Sequence, residues 1–354
     1  MSDYKVLTHS DAKLWSEYFF RLPNCQQDIY FTPEYYKLYE DYGDGIAHCF
    51  IYEKDGDIAL YPFLKNSVNE IGYILDDQYY DIQGAYGYNG IVSTTDKEHF
   101  INSFYLAFDD YHAKSNIIAE FTRFHPLLEN YKFSQERMSV FFDRKTVFVD
   151  LKNSYESILH DFQKTTRKQL KRCHHKHNLE VEIIENDISQ IEVFYSIYTE
   201  AMARVQSIEY LYFNIEYFRK LISTTKSALF IAKQECKPIA AIIAFYNDYY
   251  IHGHLGGALT DFLNTSSYSL LYSEIIKFGK EKGCKYFHVG GGATNEIDDK
   301  LLLFKLNFSD TTADFYIGKK IHNQLIYDNV IKQWENKFPE KTDLFKNRIL
   351  KYRF

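Results

Sequence analysis

The chain has 354 residues, of which 45% are hydrophobic, and its formal net charge is −7. This length allows two domains with buried cores, and the negative charge argues against general nucleic-acid binding, although a local basic patch can still bind a phosphorylated ligand. Because the first residues lack the pattern of a signal peptide and no segment approaches the ~20 apolar residues that span a bilayer, we expect a cytoplasmic protein without a transmembrane segment.

The cysteine and aromatic content bears on the kind of site that the protein can contain. The five cysteines are widely spaced and never form a CxxC pair, so the sequence predicts neither a disulfide framework nor a zinc cluster. Tyrosine (32) and phenylalanine (29) are abundant, and tyrosine suits a groove that is apolar in its body and polar at its tips. Ordinary core packing accounts for the same composition equally well.

The first half of the chain predicts a hairpin, a glycine-rich segment, a helix and a strand, in that order. Two apolar segments flank a turn at Gly56-Asp57, and the glycine-rich run YDIQGAYGYNG follows. A helix is predicted from about Asp96 to Lys114, and NIIAEFTRF is predicted to be the next strand.

The second half repeats this order. ALFIAKQE and PIAAIIAFYN flank a turn at Cys236-Lys237, YYIHGHLGGA leads into a helix from about Thr265 to Lys282, and YFHVGGG is predicted to be a strand. A strand TVFVDL, a helix from about Tyr155 to His175, the strand LEVEIIE and two amphipathic helices come before them. The strand ADFYIGKK and a helix from about Asn323 to Lys337 come after them.

The repeated order predicts an α/β fold with mixed sheets and two similar domains, at residues 1–148 and 149–320. Residues 321–354 are predicted to form a terminal helix and tail that pack back on the first domain, because an amphipathic terminal helix must bury its apolar face.

A basic helix is the first candidate ligand-binding segment. KTTRKQLKRCHHKH lies in a stretch without acidic residues between Asp161 and Glu180. On a helix Arg167 and Lys171 share a face, so cations can converge on a phosphate, and a solvated basic face is the alternative. The histidines of HHKH splay apart on a helix and have no carboxylate beside them, so we expect no metal site.

Two strands carry histidines that are candidate general bases. In EFTRFHP, Arg123 and His125 lie on the same face, which makes Arg123 a candidate for binding a carboxylate or phosphate and His125 a candidate for accepting a proton. A salt-bridged arginine and a structural histidine explain that pair at least as well. In YYIHGHLGGA, His252 and His254 have the same spacing and precede two glycines that allow close approach of a ligand or of backbone.

Glycine-rich turns supply further candidates. Three glycines end an apolar strand and precede a helical run that bears Lys305, so this turn can offer backbone N–H groups and an ammonium group to an anion. A surface position of Lys305 is the alternative. In AYGYNG, Tyr86 and Tyr88 alternate with glycine, which suits either a groove that contacts a sugar or peptide or a simple loop. The three glycines are Gly290, Gly291 and Gly292.

Together these segments resemble the FemABX family of peptidoglycan aminoacyl ligases and the related BioF2-like GNAT acyltransferases. The matching pieces extend from about Tyr80 to Phe308 and are AYGYNG, FTRFHPLL, VFVDL with FQKTTRKQLKR, FYSIYTEAMARV, HGHLGGA and FHVGGGATNEIDDKLLLFKLNF. The resemblance implies tandem GNAT-like domains.

The resemblance also implies a substrate class. In FemABX ligases the donor is an aminoacyl-tRNA, the acceptor is a UDP- or lipid-linked muropeptide, and a lysine and an arginine bind the acceptor diphosphate. Arg167 has the place of that arginine in the TTRKQLKR pattern. Lys171 on the same helix and Arg204 in FYSIYTEAMARV are further substrate-binding candidates.

Two departures from the family pattern bear on the donor. The sequence has no long charged coiled-coil insertion, so binding of tRNA by such an arm is not supported. The loop Q/R-x-x-G-x-G/A, which holds the pyrophosphate of CoA in ordinary GNAT enzymes, is replaced by ALTDFLNTSS, and this weakens acetyl-CoA as a donor.

We therefore expect an acyltransferase that acts on an amine or hydroxyl of a cell-wall or surface-polysaccharide precursor linked to a nucleotide or lipid diphosphate. Its co-substrate is aminoacyl-tRNA or acyl-CoA, and no bound cofactor is expected. Two alternatives stay open: an acetyl-CoA-dependent N- or O-acetyltransferase acting on an amino sugar, and a GNAT scaffold that binds a ligand without catalysis.

Overall fold

The structure is a computed structural model that describes residues 4–354. It contains two compact units. The first comprises the chain up to Asp143 together with Phe315–Phe354, and the second comprises Arg144–Asp314. The chain thus leaves the first unit after Asp143 and returns to it at Phe315.

The elements follow in chain order. As far as Asp150 they are β1 (Tyr4–Thr8), α1 (Ala12–Phe19), α2 (Pro33–Tyr42), β2 (Ile46–Lys54), β3 (Asp57–Ser67), β4 (Tyr80–Gln83), β5 (Val92–Ser93), α3 (Glu98–Lys114), β6 (Ile117–Arg123) and β7 (Ser139–Asp150). They continue with α4 (Tyr155–Asp161), α5 (Lys164–His175), β8 (Leu179–Glu185), α6 (Ile191–Arg204), α7 (Ile215–Thr224), β9 (Ser227–Gln234), β10 (Lys237–Tyr246), β11 (Tyr250–Ala258), α8 (Ser267–Glu281), β12 (Tyr286–Gly291), α9 (Lys300–Lys305), β13 (Thr312–Ile321), α10 (Gln324–Lys337) and α11 (Thr342–Phe345).

The sheet of the first unit has the strand order β1-β2-β3-β4-β6-β13, and β5 pairs with β3. Its neighbours are antiparallel except β4 and β6, which are parallel. Helix α3 covers it because apolar residues recur every four positions, and its Phe104 and Phe108 lie against Phe50 and Tyr61. Helix α10 buries Trp334 in a separate cluster of this unit that includes Ile118 of β6.

The sheet of the second unit has the order β7-β12-β11-β10-β9-β8. Here β11 and β12 are parallel and the other neighbours are antiparallel. Apolar residues of α8 and α5 form one core with the strands, with Leu271 and Ile275 fully buried.

Both units therefore repeat one plan. A hairpin is followed by a strand, a helix and a strand parallel to the previous one, as β2-β3-β4-α3-β6 and as β9-β10-β11-α8-β12. An antiparallel strand then pairs with the last strand, β13 with β6 and β7 with β12. The predicted α/β fold with mixed sheets and a repeated order of parts is confirmed.

The prediction of one helix from Tyr155 to His175 is wrong in one respect, because this segment forms two helices, α4 and α5. Phe162 and Gln163 between α4 and α5 have extended backbone angles. The guanidinium of Arg167 donates hydrogen bonds to the carbonyls of His160 and Phe162, which satisfies the end of α4. The break also buries the Phe162 ring 5.3 Å from the Phe308 ring.

Between Tyr4 and Phe354, no helix has the length and apolar character needed to cross a membrane.

Candidate functional site

The triple-glycine turn of the second unit is built around a buried lysine. Gly290 has a φ of +89°, and the pairing of β12 with β7 shifts register beside it. A Cβ at Gly290 would lie 3.0 Å from Nζ of Lys305, so glycine lets the ammonium approach the backbone. That ammonium donates a 2.7 Å hydrogen bond to the carbonyl of Gly291.

Asp299 holds the loop between this turn and α9. Its carboxylate accepts hydrogen bonds from the backbone N–H groups of Ala293 (3.1 Å) and Thr294 (2.9 Å), and from the N–H of Leu302 (2.8 Å) as the N-cap of α9. Burial acts against its charge, but these hydrogen bonds prevail and lower the pKa of Asp299 to about 2. A Cβ at Gly292 would lie 2.7 Å from this carboxylate, so the third glycine admits it.

Lys305 is 8% exposed, which contradicts the surface alternative. Burial lowers its pKa to about 8, the charge of Asp299 opposes that effect, and Arg144 adds to it. Arg144 itself donates to the carbonyls of Gly292 (2.8 Å) and Ala293 (2.7 Å). Among residues 4–354, Lys305 forms no ion pair with a carboxylate. The backbone N–H groups of Ala293 and Thr294 are already bound by Asp299, so the buried cation is the feature of this turn that suits an anionic ligand.

The strands beside this turn separate. Only Tyr250–His252 of β11 pairs with β12, at Tyr286–His288, although β11 continues to Ala258. Within the described chain, the edge of Gly253–Ala258 that faces β12 has no strand partner. Backbone groups along this edge can therefore form hydrogen bonds with a ligand between the two strands.

Two predicted bases lie on β11. His252 is buried, with its ring 5.4 Å from the ring of His288. His254 occupies a bulge, and its Nε2 lies 3.2 Å from the hydroxyl of Tyr217 on α7. Burial, with a smaller contribution from His252, lowers the pKa of His254 to about 3. His254 is therefore a neutral and weakly basic imidazole at pH 7.

The two glycines that follow these histidines serve packing. A Cβ at Gly257 would lie 2.4 Å from Cβ of Ala201, and one at Gly256 would lie 2.5 Å from the carbonyl oxygen of Ala241. Of the two possibilities left open by the sequence, close approach of protein atoms is therefore the one observed. Arg204 at the end of α6 donates a 2.6 Å hydrogen bond to the carbonyl of Ala258, which joins α6 to the end of β11.

The basic helix α5 presents cations to solvent. Arg167 uses Nη1 to cap α4, and its Nε and Nη2 have no partner within residues 4–354. Lys171 is exposed one turn further on. The start of α5 lies against the end of α9, because the N–H of Gln163 donates to the carbonyl of Asn307 at 3.0 Å. Arg167 and Lys305 thus belong to neighbouring elements of one unit.

Arg123 of the first unit shapes the loop AYGYNG. Its Nη2 donates to the carbonyls of Gly84 and Ala85, each at 3.0 Å, and its Nε donates to the carbonyl of Gly87 at 3.1 Å. The guanidinium of Arg123 thus binds backbone carbonyls, whereas the sequence analysis considered a ligand or a salt bridge as its partner. Its role in binding a carboxylate or phosphate stays a prediction.

His125 and the two loop tyrosines lie in the same part of the first unit. His125 is fully buried, and its Nε2 lies 3.2 Å from a carboxylate oxygen of Asp28. The ring of Tyr88 lies 5.2 Å from the rings of His125 and Tyr30. The carbonyl of Tyr86 accepts a 2.6 Å hydrogen bond from Tyr35.

The predicted residues are divided between the two units. Lys305 and the triple-glycine turn are together in the second unit, and Arg123 and His125 are with the tyrosine loop in the first. Sequence reasoning missed Arg144, Asp28 and Asp299. Only Asp299 had a local signal, as an acidic residue directly before an apolar helical run.

Comparisons with known proteins concern the fold of the chain. Residues 160–297 match the family described as Acetyltransferase (GNAT) domain. No curated protein matches the chain. The crystal structure of FemX has a TM-score of 0.68 at 11% identity, covering 92% of this chain and 98% of that one.

Two further structures share the fold. L-PGS from Bacillus licheniformis has a TM-score of 0.55 at 13% identity, covering 89% of this chain and 93% of that one. A tandem GNAT protein from the clavulanic acid biosynthesis pathway has a TM-score of 0.51 at 6% identity, covering 89% and 98%. Residues 160–297 thus match a GNAT domain, as predicted, and the chain shares its fold with FemX and with this tandem GNAT protein.

Proposed function

We propose that this acyltransferase transfers an aminoacyl or acyl group to an amine or hydroxyl of a cell-wall or surface-polysaccharide precursor that carries a diphosphate. The observation that carries the proposal is the buried ammonium of Lys305, whose direct hydrogen-bond partner within residues 4–354 is the carbonyl of Gly291. A buried cation without a carboxylate is costly, and an anionic ligand removes that cost.

A diphosphate fits this arrangement better than a single carboxylate. Lys305 supplies one cation from α9, and Arg167 retains donors at Nε and Nη2 at the start of the neighbouring α5. Two cations on adjacent elements suit two linked phosphates, and the exposed Lys171 extends the basic surface. A nucleotide- or lipid-linked sugar presents such a group.

The start of α8 supports a donor other than acetyl-CoA. A short 3-10 helix, Thr260–Thr265, stands before it, and Ser266 has a φ of +60°. The N–H of Ser267 donates to Oγ1 of Thr265 at 3.3 Å, and Thr265, Ser267 and Ser269 are buried. These backbone groups are covered, so they are poorly placed for a pyrophosphate. The fold shared with FemX favours aminoacyl-tRNA as the donor.

Catalysis in this proposal rests on positioning. The acceptor nitrogen or oxygen attacks the carbonyl carbon of the donor ester, the carbon–oxygen bond to the donor breaks, and the proton of the acceptor passes to the leaving oxygen. Holding two reactants in line supplies roughly 7–11 kcal/mol of the barrier. His125, His252 and His254 are the candidate bases, and the low pKa of His254 makes it a weak one.

Replacing the three histidines in turn tests for a base on the protein. His254→Gln is expected to leave turnover within a few fold, because an imidazole with a pKa of about 3 contributes little as a base at pH 7. If all three single variants keep turnover at this level, proton transfer is assisted by the substrate. A loss of 10²–10⁴-fold at one position identifies a base.

A thermal-shift titration tests the ligand class. A UDP-linked muropeptide, UDP-N-acetylglucosamine, acetyl-CoA and free CoA are compared on the wild-type chain, on Lys305→Met and on the control Lys300→Met, which changes an exposed lysine of the same helix. We expect saturable stabilisation by the UDP-linked compounds that is lost in Lys305→Met only. Saturable stabilisation by CoA, independent of Lys305, would favour the acetyl-CoA alternative.

The non-catalytic alternative makes a separate prediction. A binding scaffold would show the same UDP-dependent shift but form no product with aminoacyl-tRNA or acetyl-CoA. We place the reaction in the cytoplasm, where nucleotide-linked precursors and charged tRNA are both present, and detection of product excludes the scaffold.

A further inference from the structure

A further cluster of polar side chains lies in the first unit. Asp109 and His112 stand three positions apart on α3 and therefore face the same way. His322 directly follows β13, and its backbone N–H donates to the carbonyl of Ile118 at 2.8 Å. The three line a pocket of about 410 Å³.

His112 has no partner that explains its position. It is 1% exposed, and neither Nδ1 nor Nε2 has a hydrogen-bond partner in the part of the chain that the structure describes. Its ring lies 3.9 Å from the rings of both Phe108 and His322. At least one nitrogen of a buried imidazole ordinarily forms a hydrogen bond. The nitrogens of His112 are therefore candidates for binding a ligand.

The three side chains converge. One ligand atom from each of Asp109, His112 and His322 lies within 4.8 Å of the others. Tetrahedral zinc with bonds of about 2.0–2.2 Å holds its ligand atoms about 3.4 Å apart, so small side-chain rotations close the site. Two imidazoles and one carboxylate form a donor set that suits zinc better than magnesium or calcium.

A second carboxylate orients one of the histidines. Oε2 of Glu120 lies 3.0 Å from Nε2 of His322, which leaves Nδ1 of His322 for a metal. A carboxylate behind a histidine ligand fixes the ring and increases its basicity. Glu120 is itself held by the hydroxyl of Tyr61.

Lys320 competes with a metal at this position. Its Nζ donates to Oδ1 of Asp109 at 2.6 Å, and its side chain is 22% exposed. The lysine therefore reaches the carboxylate from the solvent side and can swing outward when a divalent ion binds.

We propose that Asp109, His112 and His322 bind a zinc ion, with Lys320 as the group that it displaces and the fourth position open to water. We expected no metal site from the sequence, because His322 lies more than 200 positions from Asp109 and His112. The ion joins α3 to the end of β13, the strand that returns to the first unit. It therefore stabilises this unit.

Zinc titration of the full chain after treatment with a chelator tests the proposal, with calorimetry for stoichiometry and thermal unfolding for stability. Zinc at 100 times its Kd is expected to raise the Tm by roughly 5–10 °C, whereas magnesium at the same concentration has no effect. Cobalt in place of zinc reports ligand geometry by its visible absorption.

His112→Leu is the diagnostic variant, because a side chain of similar size replaces an imidazole whose nitrogens have no partner, so the metal-free protein should fold. His174→Leu, at an exposed position of α5, is the control for zinc bound by surface histidines. We expect His112→Leu to lose one equivalent of zinc and His174→Leu to keep it. Glu120→Gln should weaken zinc binding about 10–100-fold, and Lys320→Met should strengthen it.

The opposite pattern overturns the proposal. It fails if zinc produces no saturable shift, or if binding survives His112→Leu and disappears in His174→Leu. Zinc affinity unchanged in both Glu120→Gln and Lys320→Met would also overturn it.

Discussion

Lys305→Met should weaken ligand binding and stabilise the protein at the same time. The wild-type ammonium donates a charged hydrogen bond to the proposed diphosphate, and such bonds contribute about 1.5–3 kcal/mol. Their loss corresponds to roughly 10- to 150-fold weaker binding at pH 7. The control Lys300→Met removes an exposed lysine from the same helix and should leave the affinity unchanged.

The pH dependence of binding makes the prediction sharper. Burial lowers the pKa of Lys305 to about 8, so the protonated fraction falls from about nine tenths at pH 7 to about one tenth at pH 9. Because the diphosphate keeps its charge over this range, the affinity of the wild type should fall up to about tenfold, and that of Lys305→Met should not change. Calorimetric titration with a UDP-linked sugar at both pH values measures this.

The stability prediction follows from the same pKa. The folded pKa of Lys305 lies below the unfolded value, so between pH 8 and 10.5 the unfolded state binds more protons and the free energy of unfolding falls as the pH falls. Below pH 8 this cost is fully present, so methionine should raise the free energy of unfolding by roughly 1–3 kcal/mol at pH 7. An affinity that is flat from pH 7 to 9 in the wild type, or an equal pH dependence in Lys305→Met, would refute the reasoning.

Three other substitutions test how the site is held. Gly290→Ala should lower the free energy of unfolding by about 1–2 kcal/mol in a urea titration, because Gly290 has a φ of +89° and a Cβ would lie 3.0 Å from Nζ of Lys305; an unchanged midpoint would contradict the strain. Asp299→Ala should lower the free energy of unfolding by about 0.5–2 kcal/mol at pH 7, because the N-cap of α9 is lost. The difference should shrink as the pH falls towards 2, because the wild-type carboxylate is then protonated as well. A difference that does not depend on pH would contradict the role of the carboxylate. Arg123→Met should cost about 1–3 kcal/mol and loosen the segment from Gly84 to Gly87 in hydrogen exchange, because backbone carbonyls lose their donors; unchanged protection there would show that other contacts hold the loop.

The order of strands and helices was predictable from sequence because its signals are local. The turn at Gly56-Asp57 and the apolar alternation around it predict the hairpin that β2 and β3 form. The break at Phe162-Gln163 was not predictable, because KTTRKQLKR continues a helical pattern and the cause is a tertiary contact of Phe162 with Phe308. The strand partners of β13 and β7 are likewise tertiary.

The candidate site was likewise predictable only in part. Gly290 and Lys305 were found because 15 positions separate them within one strand-turn-helix segment. The burial of Lys305 and the part played by Arg144 depend on residues far away in the sequence and required the structure. His322 has no local feature that indicates its approach to His112, so the proposed zinc site was also not visible.

The proposed reaction is acyl transfer to a diphosphate-linked precursor. Mass spectrometry of a UDP-linked muropeptide incubated with the protein and a mixture of aminoacyl-tRNAs tests it most directly, with acetyl-CoA in a parallel reaction. We expect a mass increase of one amino-acid residue that is strongly reduced in Lys305→Met and retained in Lys300→Met. Acetylated product from acetyl-CoA alone would favour the acetyl-CoA alternative, and no product from either donor would contradict acyl transfer.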